Sequence, residues 1–166
     1  MVNNDTFLLG FDPGVSGAIA LLAPDNQVWW VDDMPTMPKL SGKGNWVDPE
    51  GVDELINQAI LDADSENKKL IAVVERVHAM PGQGVTSTFG FGFGFGVLIS
   101  ALTTNKVQFI TVTPQSWKKK FELIGLGKDA SRLAALGLHP EVALRLKRKK
   151  DNGRSDAILI AESYAK

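Results

Sequence analysis

The chain has 166 residues, of which 44% are hydrophobic, so it is long enough to bury a core as one domain. It contains no cysteine, which excludes disulfides, thiolate metal sites and a cysteine nucleophile, and fits a reducing compartment. Residues 1–6 show no secretory pattern, and no apolar run approaches the roughly 20 residues of a membrane span. We therefore expect a cytoplasmic protein without a membrane segment.

The net charge of −1 hides an uneven distribution along the chain. Residues 1–113 hold 6 Lys and Arg against 13 Asp and Glu, whereas residues 114–154 hold 11 against 4. An acidic body followed by a basic segment indicates a negative site beside a surface for a polyanion, most simply nucleic acid. The alternative, a basic run that is only a solvated face, stays open.

An N-terminal meander is predicted from three apolar runs separated by turn residues, which occupy residues 6–12, 17–23 and 27–33. Residues 34–48 are rich in Pro and Gly, and they predict a loop.

A helix and a buried strand are predicted next. Asp48 and Pro49 match the N-cap and first position of a helix that runs to about residue 63. Residues 69–75 are a short apolar run that ends at Glu75. Such a run is typical of a strand buried on both faces, which is usually a parallel strand covered by helices.

The low-complexity segment 89–96 alternates Phe and Gly, and this period of two favours a strand locally. Glycine is poor in strands, however, and the flanks are compatible with one helix of about twenty residues. A parallel crossover needs such a helix, so we predict one within 84–104. Gly92 and Gly96 would leave a smooth strip on it. Its Phe residues pack either in the core or at a subunit interface.

The remaining chain predicts one more strand and three helices. The strand covers residues 107–112, and a helix starts at Thr113-Pro114. A second helix covers residues 128–136, and the last begins near Arg154-Ser155. Together the elements predict a mixed α/β sheet flanked by helices.

Three acidic residues lie at the ends of predicted elements: Asp12, Glu75 and Asp156. A charge at the end of a buried strand is costly unless it is paired or bound to metal, and neighbouring carboxylates repel unless a cation lies between them. Their oxygen ligands favour Mg²⁺ or Mn²⁺ over Zn²⁺. Two such ions about 4 Å apart would support phosphodiester hydrolysis. Singly, Asp12 could be a turn residue and Asp156 a helix-start residue.

Four segments then resemble one family. Gly-Phe-Asp12-Pro-Gly-Val-Ser-Gly-Ala resembles the first motif of the RuvC-type Holliday-junction resolvases, and Val-Val-Glu75-Arg-Val resembles the second. Ser-Asp156-Ala-Ile-Leu-Ile-Ala resembles their terminal helix, and Val-Thr-Pro-Gln-Ser-Trp-Lys118 the segment that delivers a phosphate-contacting lysine. The resemblance covers nearly the whole chain, in order, and looks closest to small phage members.

The resemblance implies an RNase H-like five-stranded sheet, with a three-stranded antiparallel meander plus parallel strands. It also implies an endonuclease that resolves four-way DNA junctions with Mg²⁺, or Mn²⁺ as a substitute, and with two ions per active site. A homodimer would nick two strands symmetrically, and we expect its interface within residues 84–104.

One position departs from the family, which usually has a fourth acid or a His three residues before the terminal Asp. That position is Gly153 here. Asp151 is the obvious substitute and is included as a catalytic and metal-binding candidate. Asn152 could contribute instead, or three acids could suffice.

Basic and loop residues supply the candidate DNA contacts. Lys118 is chosen by resemblance, although successive lysines on one helix point in different directions. His78 or Met80, in the loop after the Glu75 strand, could wedge between bases at a junction. The other candidates contact phosphates without reading sequence: Lys119, Lys120, Lys128, Arg148, Lys149 and Lys150.

Three alternatives remain beside the resolvase. A hybrid-specific RNase H-type nuclease would share the fold and act more often as a monomer. An actin-like ATP-binding fold would share the Asp-Pro-Gly hairpin but usually needs two lobes. A noncatalytic DNA-binding module would leave Glu75 unexplained.

Overall fold

The structure is a computed structural model, and it describes residues 5–40, 42–79, 82, 84–127 and 129–165. Its centre is a five-stranded sheet, whose strands in spatial order are β3 (Val28–Asp33), β2 (Ala18–Leu22), β1 (Thr6–Asp12), β6 (Lys69–Glu75) and β7 (Gln108–Val112). The three N-terminal strands form the predicted antiparallel meander, with bounds β1 Thr6–Asp12, β2 Ala18–Leu22 and β3 Val28–Asp33.

The segment predicted as a loop holds a small second sheet. β4 (Thr36–Pro38) pairs antiparallel with β5 (Asn45–Val47). These strands have three residues each, too short for a detectable alternation, so the loop prediction was wrong here. Helix α1 (Pro49–Ser65) follows, and the Asp48 carboxylate accepts from the Glu50 amide at 3.1 Å, as the cap prediction requires.

Two parallel strands complete the large sheet. β6 (Lys69–Glu75) pairs parallel with β1, and β7 (Gln108–Val112) pairs parallel with β6. The Gly/Phe-rich segment forms the predicted crossover helix α2 (Val85–Thr104) between them. The mixed sheet and this crossover confirm the predicted fold class.

Short helices follow on the other side of the sheet. α3 (Pro114–Lys120) starts at Thr113, whose hydroxyl accepts from the Ser116 amide at 3.1 Å. The remaining elements are α4 (Asp129–Leu138), the 3-10 turns Pro140–Val142 and Lys149–Asp151, and α5 (Asn152–Glu162).

Each face of the sheet carries its own buried cluster, because side chains alternate along a strand. Phe7, Leu9 and Phe11 of β1 pack with α1 and α2 on one face. Leu8, between them, packs with α5 and with Trp117 of α3 on the other. The alternation continues to the strand end, so Asp12 faces the α5 side.

Helix α2 is long and apolar enough, by length and composition alone, to cross a membrane. The expectation that no apolar run approaches this length was therefore wrong. Glycines separate the larger apolar residues of this segment, but they do not lower its mean hydropathy below that of a membrane span. The flanking strands β6 and β7 lie side by side in one sheet, however. A membrane between them would separate the two strands, so α2 acts in this fold as a crossover helix.

Candidate active site at the carboxyl edge of the sheet

Asp12 and Glu75 meet because their strands are parallel neighbours. Phe11 of β1 lies opposite Val74 of β6, and each carboxylate follows directly at the same edge of the sheet. In β6, Ala72 and Val74 belong to the α1 face, so Glu75 faces the α5 side as Asp12 does. Strand pairing and alternation therefore bring two of the three predicted carboxylates together.

Asp156 reaches the same place because α5 lies directly on β1. A Cβ at Gly10 would overlap the carbonyl oxygen of Ala157 and lie 2.8 Å from the Cβ of Ala161. Only glycine permits so close an approach of helix and strand. Asp156 precedes Ala157 on α5, so this contact brings its carboxylate to the end of β1.

The three carboxylates shift one another's pKa values electrostatically. Burial raises the pKa of Asp12 well above its ordinary value, and the charges of Asp156 and Glu75 raise it further. Burial likewise raises the pKa of Glu75, and it raises that of Asp156 to about 6. Lys118 lowers the pKa of all three. The site is thus a half-buried cluster of like charges with one ammonium nearby.

Two further residues hold the carboxylates in place, and sequence analysis did not single them out for this role. The indole Nε1 of Trp117, a side chain that is 1% exposed, donates to Glu75 Oε2 at 2.6 Å. A hydrogen bond from Ser131 of α4 lowers the pKa of Asp156. The only signal in the sequence was a tryptophan beside Lys118, and nothing marked Ser131.

The donor set fits an oxygen-preferring cation. Oδ1 of Asp156 is buried and has no hydrogen-bond partner within the described residues. In the same described ranges, no three His, Cys, Asp or Glu side chains converge closely enough to enclose an ion as they stand. Carboxylates repel one another, and the hydrogen bond from Trp117 holds the Glu75 side chain toward α3. Both effects are consistent with the separation of the three side chains. An unsatisfied buried carboxylate oxygen is the kind of group that metal coordination satisfies.

Asp151 does not join this cluster, which corrects its selection as fourth ligand. Its Oδ1 forms an ion pair with Arg148 Nη2 at 2.7 Å, and its Oδ2 accepts from the Arg148 amide at 2.8 Å. These bonds hold the pKa of Asp151 below its ordinary value. Asp151 is not among the charges that raise the pKa of Asp12 or Asp156.

The family position of the fourth ligand cannot carry a side chain in this fold. A Cβ at Gly153 would lie 2.5 Å from the carbonyl oxygen of Ser16 and 3.1 Å from the backbone of Gly17. The start of α5 therefore packs directly on the turn between β1 and β2. Of the options left open by sequence, a three-carboxylate site agrees best with this packing.

The three successive lysines of α3 have three different environments. Lys118 lies beside the carboxylates, and its Nζ is 5.2 Å from the centre of the Trp117 ring. Lys119 is exposed. Lys120 donates to the carbonyl oxygens of Ser163, at 2.7 Å, and Glu162, at 3.3 Å, and so caps the end of α5. Lys120 is thus a structural cap, contrary to its selection as a DNA contact.

The basic run near residue 150 also divides by residue type. Arg148 is paired with Asp151, and the neighbouring Arg145 and Arg154 pair with acids at the end of β3. Lys149 and Lys150 are exposed, as is His78 after β6. Met80 and Lys128, the other two predicted contacts, lie outside the described residues. The arginines of this segment form ion pairs within the protein, whereas Lys149 and Lys150 are exposed to solvent.

Comparisons with known proteins agree with this architecture. No protein-family model matches the chain, and no curated protein matches it by sequence. The structure of Thermus thermophilus RuvC in complex with a Holliday junction substrate is similar at a TM-score of 0.61 and 16% identity, covering 96% of this chain and 92% of that chain. Another Thermus thermophilus RuvC structure gives 0.61 and 16%, covering 96% and 93%.

A eukaryotic structure is also similar. The yeast mitochondrial Holliday junction resolvase Ydc2 has a TM-score of 0.57 and 14% identity, covering 99% of this chain and 80% of that chain. At such identities the similarity concerns the fold. Together with the sheet order and the edge where the carboxylates meet, it shows that the chain has the RNase H-like fold of the RuvC-type resolvases.

Proposed function

We propose that the protein is a metal-dependent endonuclease that cuts branched DNA, with four-way junctions as its preferred substrate. The observation that carries this proposal is the half-buried group of Asp12, Glu75 and Asp156 at one edge of the sheet, whose pKa values are raised, beside Lys118. Two neighbours of the same fold support the substrate class: one is described with a Holliday junction substrate, and another is a Holliday junction resolvase.

We assign the three carboxylates as ligands of Mg²⁺, with Mn²⁺ as a substitute and two ions per site. When bound, such ions activate a water for attack on the phosphodiester and stabilise the leaving 3′ oxygen. The protein's part is to hold the carboxylates in position for the ions. Trp117 fixes one oxygen of Glu75, which leaves the other available, and Ser131 fixes Asp156.

Lys118 binds the phosphate next to the reacting one. Its ammonium is held near the ring of Trp117 and is the cation that acts on all three carboxylates. Farther from the site, the exposed Lys119, Lys149 and Lys150 contact backbone phosphates and position the DNA without reading its sequence. His78, which is exposed after β6, contacts the bases at the centre of the junction.

A homodimer through α2 matches a substrate with twofold symmetry. Most of α2 is exposed, and a Cβ at Gly92 or Gly96 would meet no described atom within 4 Å. These glycines line a shallow apolar cavity of about 590 Å³ between α2 and the start of α1. The helix of a second copy could lie closely along this strip and place two active sites on one junction.

Cleavage of matched substrates tests the enzymatic proposal. Purified protein with Mg²⁺ is expected to nick a synthetic four-way junction in two symmetry-related strands and to leave linear duplex uncut. Equal cutting of duplex, Y-shaped and four-way DNA would remove the junction specificity. Faster cutting of RNA in a hybrid would favour an RNase H-type nuclease. Full activity in Asp12→Asn would contradict the nuclease itself.

Mass measurement tests the dimer. Sedimentation of the wild-type chain should give twice the mass of one chain, and Gly96→Arg should give the monomer, because a long side chain on the strip blocks close packing. Gly137→Arg on α4, where a Cβ also meets no described atom, is the matched control and should stay dimeric. A monomeric wild-type protein that still cuts junctions in pairs would contradict this arrangement.

A further inference from the structure

A cavity of about 220 Å³ lies beside the active site, and the chemistry proposed above makes no use of it. Because one water occupies about 30 Å³ of the liquid, the cavity has room for a planar ring with its substituents. Three elements line it: the turn after β1, the β4–β5 hairpin and the first turns of α2. Its lining residues include Gly14, Lys39, Asn45, Trp46, Ser87 and Phe91.

The cavity lies at the same end of β1 as Asp12. Gly14 stands two residues after Asp12, and a Cβ at Gly14 would lie 3.0 Å from Cε1 of Phe91. The backbone of the Asp12 turn and the ring of Phe91 thus form one wall together. A ligand in the cavity would contact the turn that directly follows Asp12.

The lining combines aromatic rings with a single cation. Lys39 is its only charged side chain among the described residues, and its Nζ lies 4.3 Å from the centre of the Trp46 ring. The Trp46 ring is fixed by Phe93, whose centre is 4.8 Å away, and by Phe89 at 5.7 Å. Phe91 is 37% exposed. A rigid ring beside an ammonium, with no carboxylate in the lining, suits a ligand that has both a flat face and a negative charge.

The charge distribution makes this lysine unusual. Residues 1–113 hold only 6 Lys and Arg against 13 acids, so Lys39 does not belong to a general basic surface. Asn45 and Ser87 add uncharged hydrogen-bonding groups to the same cavity. A nucleotide matches all three features: its base stacks on an aromatic ring, its edge forms hydrogen bonds, and its phosphate meets a cation.

We propose that this cavity binds one unstacked nucleotide of the cut strand, next to the phosphate at the carboxylates. The base stacks on Trp46 and Phe91, and the adjoining phosphate contacts Lys39. The inference rests on the proposed nuclease function and deepens it. Extruding a base costs least where pairing is already broken, so the cavity favours a branch point over intact duplex.

Photocrosslinking in the cleavage-deficient Asp12→Asn protein tests the placement. Four-way junctions carrying 5-iodouracil at single positions around the cut site are irradiated in complex, and the crosslinked peptides are identified by mass spectrometry. We expect one position to crosslink to Trp46 or Phe91. Crosslinks at no position to either residue, in a complex that has formed, would overturn the proposal.

A coupling experiment tests the energetics. In the Asp12→Asn background, Trp46→Leu should weaken junction binding about 5- to 100-fold, the range of base–aromatic stacking. An abasic nucleotide at the crosslinking position removes the same base. It should weaken junction binding by the Asp12→Asn parent equally, and it should cause no further loss of binding in the Trp46→Leu variant. Additive losses would contradict stacking of that base on Trp46.

Lys39→Met keeps the aliphatic stem over the Trp46 ring and removes the charge. The slope of log affinity against log salt should fall by about 0.7–0.9, the value for one phosphate contact. Lys43→Met in the same hairpin and the half-exposed Trp29→Leu at a different cavity are the matched controls. Both should bind as the parent does, and equal effects in the controls would count against the site.

Two outcomes separate this inference from the function on which it rests. If the Asp12→Asn protein binds no branched or single-stranded DNA, the proposed function fails and the cavity proposal fails with it. If it binds junctions and wild type cuts them, but no coupling appears, only the cavity proposal fails. A change of sedimenting mass in Trp46→Leu would instead assign the cavity to an interface between copies.

Discussion

Asp151 and Asp156 stand five residues apart at the start of one helix, yet their surroundings are opposite. Asp151 is bound by the Arg148 side chain and amide, and its pKa lies below the ordinary value. Asp156 has a buried oxygen without a partner within the described chain, and its pKa rises to about 6. The protein thus stabilises the charge of Asp151 internally and leaves one oxygen of Asp156 without a partner among the described residues.

The same contrast extends to the two regions around these residues. At the end of β3, Asp33 pairs with Arg154 at 2.7 Å and Asp32 with Arg145 at 2.6 Å. At the ends of β1 and β6, Asp12 and Glu75 have raised pKa values, and Lys118 is the cation that lowers both. Nearness in sequence and equal charge thus do not identify a ligand. What distinguishes Asp156 is a buried oxygen without a hydrogen-bond partner within the described residues.

Cleavage rates give the largest test of this contrast. Asp156→Asn should reduce junction cleavage by about a thousandfold or more, because it removes a metal ligand. Asp151→Asn should leave the rate within a few-fold of wild type. The measurement is single-turnover cleavage of a labelled junction in Mg²⁺, with binding checked separately. Equal losses in both variants would restore Asp151 to the site.

Stability against pH should show opposite signs for the two aspartates. The folded pKa of Asp156 is raised, so its stabilising contribution is present below its ordinary pKa and is lost as the pH rises through about 6. Without metal, Asp156→Asn should therefore be more stable than wild type at pH 8, by at most about 3 kcal/mol, and similar at pH 4.

Asp151 should behave in the reverse way. Its folded pKa is lowered, so its contribution is present above the ordinary pKa and is lost as the pH falls below it. Asp151→Asn should be less stable than wild type at pH 8, and the difference should shrink toward pH 3. Urea denaturation in EDTA measures both variants. Destabilisation by Asp156→Asn at pH 8 would contradict the account.

The glycine between the two aspartates offers a third test. Gly153→Asp would restore the family's fourth acid but place its Cβ 2.5 Å from the Ser16 carbonyl oxygen. We expect a loss of about 1–3 kcal/mol in the free energy of unfolding. Gly137→Ala in α4, with open space around its Cβ, should gain up to about 1 kcal/mol. A stable Gly153→Asp protein that binds Mn²⁺ more tightly would show that the turn can yield.

Trp117→Phe tests whether the orientation of the Glu75 carboxylate affects metal affinity. Losing the indole N–H should weaken Mn²⁺ binding about 10- to 100-fold, the usual cost of removing a group that orients a ligand. Trp30→Phe is a matched control, because Trp30 donates to Asp62 at 2.8 Å away from the site. Direct titration by calorimetry or electron paramagnetic resonance gives the affinities. Equal affinities in the two variants would reduce Trp117 to packing.

Two lysines give the smallest expected effects. Lys120→Met removes the cap on α5 and should cost about 0.5–1 kcal/mol in stability without changing the salt dependence of junction binding. Lys150→Met should leave stability unchanged and reduce the salt slope by about 0.9. Denaturation and binding at several salt concentrations separate the two. If Lys120→Met instead lowered the salt slope and Lys150→Met lowered the stability, the roles assigned to the two lysines would be reversed.

Much of this architecture follows from local patterns. The bounds of β1 and β6 matched the predicted ranges, and the caps at Asp48 and Thr113 placed two helix starts. The choice of Asp12, Glu75 and Asp156 came from strand ends and from the family resemblance. Their role as ligands and the likeness to small phage members remain predictions.

What sequence could not give depends on distant contacts. The cap formed by Lys120 involves residues more than forty positions later, and the bond from Trp117 to Glu75 spans 42 positions. The steric requirement at Gly153 arises from the turn at Ser16 and Gly17. Local periodicity and spacing do not reveal such long-range contacts. Two basic residues that are neighbours in sequence can therefore have different roles.

Helix α3 has only seven residues, too few to be stable alone in water. Thr113 fixes its start, Trp117 ties its middle to β6, and Lys120 ties its end to α5. Its backbone amides should therefore exchange with solvent only when the whole protein unfolds. If Lys118 binds a phosphate as proposed, it does so from a support that is already ordered, and binding does not have to supply the conformational entropy of arranging it.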